Sequence, residues 1–151
     1  MIATTLARFA VAAILALTVA ACSSTRLSDG LTQRMDSSTA QLNSAEAIGI
    51  INHYRTTVGA APLTEDPALS AQAKTIAASY AKTGRQVAKP EGTSEIRYSA
   101  GYATFADTFS GWRNSGQQSL VMSGTGVTRA GIAVVYEENS PYGVYWVVIV
   151  A

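Results

Sequence analysis

The end of the chain constrains the fold most. The runs "RAGIAVVYE", Arg129 to Glu137, and "GVYWVVIVA", Gly143 to Ala151, are rich in β-branched and aromatic residues and flank the turn-forming "ENSPY". That is the pattern of a β-hairpin. Successive strand residues point to opposite faces of a sheet. Here both faces are apolar: Ile132, Val134 and Tyr136 alternate with Ala133 and Val135, and Val144, Trp146 and Val148 with Tyr145, Val147 and Ile149. A sheet that is apolar on both faces needs cover on both. The cover has to come from what precedes it.

Three helices are readable upstream. Ser44 is placed to cap the first, whose apolar residues Ala47, Ile50, Ile51, Tyr54 and Val58 fall at helical spacing before Gly59 stops it. Asp66 caps the second, with Pro67 at its first position. Leu69, Ala73, Ile76, Ala77 and Tyr80 form its buried face, and Gly84 ends it. Thr104 and Asp107 make a capping-box-like start for the third, in which Phe105, Phe109 and Trp112 repeat along one side as a core-forming aromatic row. "EIRYSAGY", Glu95 to Tyr102, reads as a further strand. The expected fold class is α+β: one domain over residues 44–151, an α/β/α sandwich around a small, mainly antiparallel sheet.

The beginning of the chain speaks to location. After Arg8 the apolar run "FAVAAILALTVAA", Phe9 to Ala21, is well short of the ~20 residues a membrane-spanning helix needs, so residues 1–21 read as a signal peptide. Val19, Ala20, Ala21 and Cys22 resemble a bacterial lipobox, whose cysteine is diacylated and then exposed as the new N-terminus. The alternative is ordinary secretory cleavage near Ala21 with an incidental cysteine. Cys22 is the only cysteine, so the chain has no internal disulfide. Acyl chains, at about 0.8 kcal/mol per buried methylene, hold a protein on a membrane surface without a span. Residues 22–43 are rich in Ser, Thr, Gln and Asp, and are expected to form the lipidated cysteine and a flexible tether. An extra helix around Leu31 to Met35 is the alternative. The expected place is the cell envelope, with the domain facing the periplasm.

Charge narrows the partners. Eleven basic residues face ten acidic ones, and cleavage before Cys22 removes one basic residue, Arg8, leaving a neutral mature chain. A chain without basic excess lacks the electrostatic footprint of a nucleic-acid binder. The membrane partner is reached through the N-terminal lipid.

The run Asn52, Arg55, Gly59, Pro62 and Leu63, followed by Asp66, Pro67 and Leu69, resembles the opening of bacterial CAP domains, the superfamily of cysteine-rich secretory proteins, antigen 5 and plant pathogenesis-related proteins. "GWRNSG", Gly111 to Gly116, resembles the family's W-x-x-S-x-G-H segment, and "TRAGIAVVY" and "YGVYWVVIVA" resemble its closing strands. The resemblance implies family-motif structural roles for Asn52, Arg55, Trp112 and Ser115. Many relatives line a cleft with two histidines and two acids that can hold a divalent metal. On the same resemblance Gln117 stands where the histidine after "SG" is expected, Arg129 takes one acidic position, and Glu95 is an offset stand-in for the other. "KTGRQVAKPEGTSE", Lys82 to Glu95, contains no histidine. Gln is not a base near neutral pH, and Arg repels a cation.

The cleft is thus expected to be degenerate, with no catalytic residue, no metal and no cofactor. His53, the single histidine, lies off the apolar stripe of its helix without a nucleophile elbow or HExxH spacing, and reads as a helix-surface residue. Tyr98, Tyr102 and Tyr142 read as packing. The expected function is a non-catalytic binding module with an envelope protein or glycan as partner. One alternative is a lipid or sterol carrier, because some relatives bind sterols and fatty acids; it needs an apolar groove near Trp112 or Tyr142. Another is a cell-wall or peptide hydrolase, which the missing histidines disfavour.

Overall fold

The computed structural model describes residues 28–115 and 119–151. The expected signal peptide, Val19 to Cys22 and Gln117 lie outside the described residues.

The apolar end of the chain forms the centre of the molecule. Strand β4, Val144–Val150, is buried at every residue. On one side it pairs antiparallel with β3, Arg129–Tyr136, which sets Val134 opposite Trp146. On the other it pairs antiparallel with β2, Glu95–Ala100, which sets Ser99 opposite Trp146. A two-residue strand the sequence did not announce, β1, Thr64–Glu65, runs parallel to the start of β3, giving the order β1-β3-β4-β2.

The helices cover both faces, as the doubly apolar hairpin requires. Helix α2, Ser44–Thr57, and helix α4, Phe105–Asn114, bring Ala47, Ile48, Ile51, Phe105 and Trp112 against Ile132, Trp146, Val148 and Val150. Helix α3, Pro67–Thr83, brings Leu69, Ala73 and Ala77 against Ala133, Val147 and Ile149 on the opposite face. The fold is α+β, an α/β/α sandwich with a mostly antiparallel sheet. Trp146 is fully buried against Phe105, ring centroids 5.7 Å apart, and its indole N–H donates to the carbonyl of Tyr102 at 2.9 Å. A buried indole needs such a partner. On the other face α3 crosses β3 at Gly131, where a Cβ would overlap the backbone of Leu69 and Ser70. Only glycine allows that approach.

The local signals for α3 and α4 hold. Asp66 accepts from the N–H of Ala68 and Leu69, Gly84 closes α3 at φ 68°, and Thr104 accepts from the N–H of Asp107. Helix α2 differs in two respects. Its cap is Asn43, whose side chain accepts from the N–H of Glu46, one residue before the expected Ser44. Ser44 instead donates its hydroxyl to the carbonyl of Ile132 while the Ile132 N–H donates to Ser70, so two serines satisfy β3 where β1 has ended. The buried stripe of α2 also turns toward Arg55, leaving Val58 exposed.

The larger correction concerns the tether. Residues 28–43 are packed on the domain rather than forming a free chain. A short helix α1, Asp29–Thr32, contacts α2 and α4, and the Gly30 N–H donates to Glu46. Met35 is 1% exposed in the core, and its N–H donates to the carbonyl of Ala103. Sparse apolar residues suffice here because Leu31 and Met35 join a core that already exists. The alternative helix falls close by, two to three residues earlier than Leu31–Met35.

Candidate functional site

The polar residues of the α2 motif point inward. Asn52 and Arg55 sit one turn apart. The Asn52 amide donates to the carbonyl of Leu63 at 2.7 Å and accepts from the Leu63 N–H at 2.7 Å, pairing with that backbone as a strand would. Arg55 is fully buried. Its Nε donates to the carbonyl of Ala61 at 2.6 Å, Nη1 to those of Leu120 and Val121 at 2.7 and 2.9 Å, and Nη2 to that of Gly124 at 2.8 Å. Burial lowers its pKa from the ordinary arginine value, yet a guanidinium stays charged at any pH a protein tolerates. The cation therefore ties the turn before Leu63 to the segment 120–124.

Glu95 holds the same segment from the other side. Its Oε2 accepts from the Val121 N–H at 2.9 Å and from the Ser119 hydroxyl at 3.2 Å, and Arg97 Nη1 lies 3.5 Å from Oε1. Arg97 also donates to Ser115 at 2.5 Å. Ser115 donates to the carbonyl of Trp112, whose indole N–H donates to the carbonyl of Tyr98 at 3.0 Å. Asn52, Arg55, Trp112 and Ser115 are thus bound into the framework by hydrogen bonds to backbone.

The expected grouping of Glu95 with Arg129 is not found. Glu95 pairs with Val150 and Ala130 pairs with Val150, so Glu95 and Ala130 share the Trp146 face and Arg129, one residue away, points to the other. There Arg129, half exposed, donates to Asp66 Oδ2 at 2.6 Å, at the cap of α3. The N–H of Leu69, with that of Ala68 and the Arg129 guanidinium, holds the Asp66 carboxyl below its ordinary pKa against the opposing effect of desolvation. One-residue alternation along a strand separates positions that a motif places in one cleft.

An apolar groove lies elsewhere among the described residues. Along α2 the outward residues Gly49, Ile50, His53, Tyr54 and Thr57 face Ala106, Phe109, Ser110 and Arg113 of α4 across a groove of about 920 Å³, whose lining also includes Ser28 and Leu31. Tyr54 and Phe109 meet edge to face at its floor, 5.9 Å between centroids. Arg113 stands over both rings at 6.0 and 5.9 Å, a cation–π arrangement. His53 is exposed and off the buried stripe, as expected, but it stands in the groove wall, which its position on one helix could not reveal. The groove is not beside the places expected for one: Trp112 is buried, and Tyr142 lies by Gly101 at the end of β2. The paired i, i+4 spacing of Ile50 with Tyr54 and of Phe109 with Arg113 is the only sequence signal for it.

A family model, the cysteine-rich secretory protein family or CAP, matches residues 48–150. The chain belongs to the CAP family. No curated protein matches it. The match runs from α2 to the last residue of β4, so the Arg55 framework and both long walls of the groove lie inside the CAP domain, while α1 and its Leu31 are contributed by the preceding segment. Among the described residues the CAP domain gathers no three His, Cys, Asp or Glu side chains in metal-binding proximity, and no helix is long and apolar enough to cross a membrane.

Proposed function

We propose that this chain is a lipid-anchored protein of the bacterial cell envelope whose CAP domain binds an apolar chain and catalyses nothing. The groove between α2 and α4 carries the reading: a slot walled by Ile50, Tyr54, Ala106, Phe109 and Leu31 fits an acyl tail, with Arg113 and His53 at its rim for a polar head. Pockets with mostly apolar walls and a few polar groups are the ordinary form of a ligand site. The non-catalytic part is supported by the commitment of Glu95 to Ser119 and Val121 and of Arg129 to Asp66, and by glutamine at position 117. The anchor is supported by Val19 to Cys22 in the sequence alone.

A glycan partner is the second reading. Tyr102 and Tyr142, 45% and 60% exposed, offer flat apolar ring faces on which a sugar can stack.

Titration with a fluorescent fatty acid tests the first reading. Saturable binding supports it, and its absence together with retention on a glycan matrix favours the second. Incubation with purified sacculi, followed by product analysis, tests the absence of hydrolysis. Palmitate incorporation lost in Cys22→Ser tests the anchor.

A further inference from the structure

Beyond β1, strand β3 is an edge strand whose outer side is used unevenly. Residues of an antiparallel strand turn their backbone groups alternately toward one neighbour and the other. Arg129 exchanges both bonds with Ala151, and the Glu137 N–H donates to the carbonyl of Gly143. The even-numbered residues between them therefore face away from β4. The Ala130 carbonyl accepts from the Asp66 N–H, and the N–H and carbonyl of Ile132 are taken by the Ser70 and Ser44 hydroxyls. At Val134 and Tyr136 neither outward group has a hydrogen-bond partner among the described residues. Two donors and two acceptors are left along a sheet edge, the arrangement that receives another strand.

The surroundings leave this edge open. Helix α3 starts over β3, where Gly131 meets Leu69 and Ser70, and ends over β2, with the Tyr80 and Tyr98 rings 5.3 Å apart. It thus diverges from residues 134–137, all of which are partly exposed. Lys74 of α3 is exposed, and it is the single charged residue lining the recess beside Ile132, Ala133 and Val134. Among the described residues neither Lys74 nor Glu137 forms an ion pair. An incoming strand has to satisfy the four backbone groups and bring an acid to Lys74.

The strand that fits is β3 itself. An antiparallel copy turned about Val135 sets Tyr136 opposite Val134 on both sides of the axis, and each such pair exchanges two bonds, so all the free groups are satisfied. Turning about Val134 would instead oppose Tyr136 to Ile132, whose outward groups the serines hold. About Val135, Glu137 of each copy lies opposite Ala133 of the other. Ala133 and Val135 belong to the α3 face, and Glu137 shares it by alternation. Its carboxylate therefore arrives beside Lys74, an opposite-charge pair made twice. We propose that this chain forms a two-fold dimer by pairing β3 with β3 of a second copy about Val135, which joins two four-stranded sheets into one. The edge shares no residue with the groove between α2 and α4, and the pairing needs no lipid on Cys22.

The full chain, purified in detergent, gives the test. Sedimentation equilibrium should show a reversible dimer. Across the two-fold axis the Val135 residues form a non-hydrogen-bonded pair with Cα atoms about 4.5 Å apart, within the span of a disulfide. Val135→Cys should therefore yield a covalent dimer on mild oxidation. Mass spectrometry of its digest should find the link between the two residues 135, which separates it from any bond through Cys22. Glu137→Lys or Lys74→Glu alone should weaken the dimer by about tenfold, and the two together should restore it, each variant keeping the parent's circular dichroism. A dimer without the link at 135, or a double variant as weak as either single one, would overturn this pairing. A monomeric parent whose Val135→Cys form links only to a synthetic peptide of alternating valine and glutamate with a central cysteine would overturn the second copy and give the edge to a foreign strand. A monomer that links to neither would overturn the edge as a docking site.

Discussion

Arg55 and Glu95 hold opposite ends of one peptide group without forming an ion pair. The guanidinium donates to the carbonyl of Leu120 at 2.7 Å, and the carboxylate accepts from the N–H of Val121 at 2.9 Å. The peptide dipole thus lies between a buried cation and a partly buried acid, each facing the end of opposite sign. This lets α2 carry an arginine into the core without a carboxylate beside it, and it fixes the segment 119–124 from two sides.

Replacing Arg55 by Met should destabilise the protein by more than about 3 kcal/mol, because the carbonyls of Ala61, Leu120, Val121 and Gly124 lose their donor together. Arg55→Lys should recover only part of this, since an ammonium cannot span the same four acceptors. Urea melts of both variants measure the difference, and a Lys variant as stable as the parent would say that charge alone matters.

Trp146→Ala should cost about 3 to 5 kcal/mol, the usual range for removing a large buried aromatic. The ring fills the space beside Phe105, and its N–H satisfies Tyr102. A loss below about 1 kcal/mol in the same melts would place the residue outside the core.

Gly131→Ala should destabilise by about 1 to 3 kcal/mol or more, the cost of overpacking, because the added methyl meets backbone of α3 and not a movable side chain. A neutral result would mean that α3 can slide along β3.

Asp66 supplies a pH dependence. Its folded pKa is held low first by the Leu69 N–H, with Ala68 and Arg129 contributing, so the unfolded chain takes up its proton at higher pH than the folded one. The stabilisation is fully present above the unfolded aspartate pKa of about 3.9 and is lost as pH falls toward the folded value. Asp66→Asn keeps a capping oxygen and removes the titration. The acid limb of stability below about pH 4 should therefore be shallower in Asp66→Asn than in the parent, measured as denaturation midpoint against pH. Parallel limbs would contradict the assignment.

The sequence displayed those parts of the fold that are set by neighbouring residues. Asp66-Pro67 and Thr104 with Asp107 mark helix starts because a cap involves residues three apart, and the apolar alternation of residues 129–151 already requires two covering layers. What long-range packing decides was not legible. Strand β1 is two residues long and exists because β3 passes beside it. Arg55 has no local sign of burial, since its acceptors arrive from 65 to 69 residues away as well as from Ala61. Met35 and Leu31 look too sparse to fold until the core they join is in place. The groove is a meeting of two outward helix stripes, one from α2 and one from α4, and neither stripe alone shows that the other lies opposite.

The account turns on that groove, and the most direct measurement is a fluorescent fatty-acid titration of the parent beside Gly49→Trp. Gly49 lines the groove, and a Cβ added there meets nothing within 4 Å, so the indole can occupy the slot without disturbing the core. The parent should bind saturably at one-to-one stoichiometry, and Gly49→Trp should lose that binding while keeping the parent's circular dichroism and urea midpoint. No saturable binding by the parent, or undiminished binding by a folded Gly49→Trp, would contradict the account.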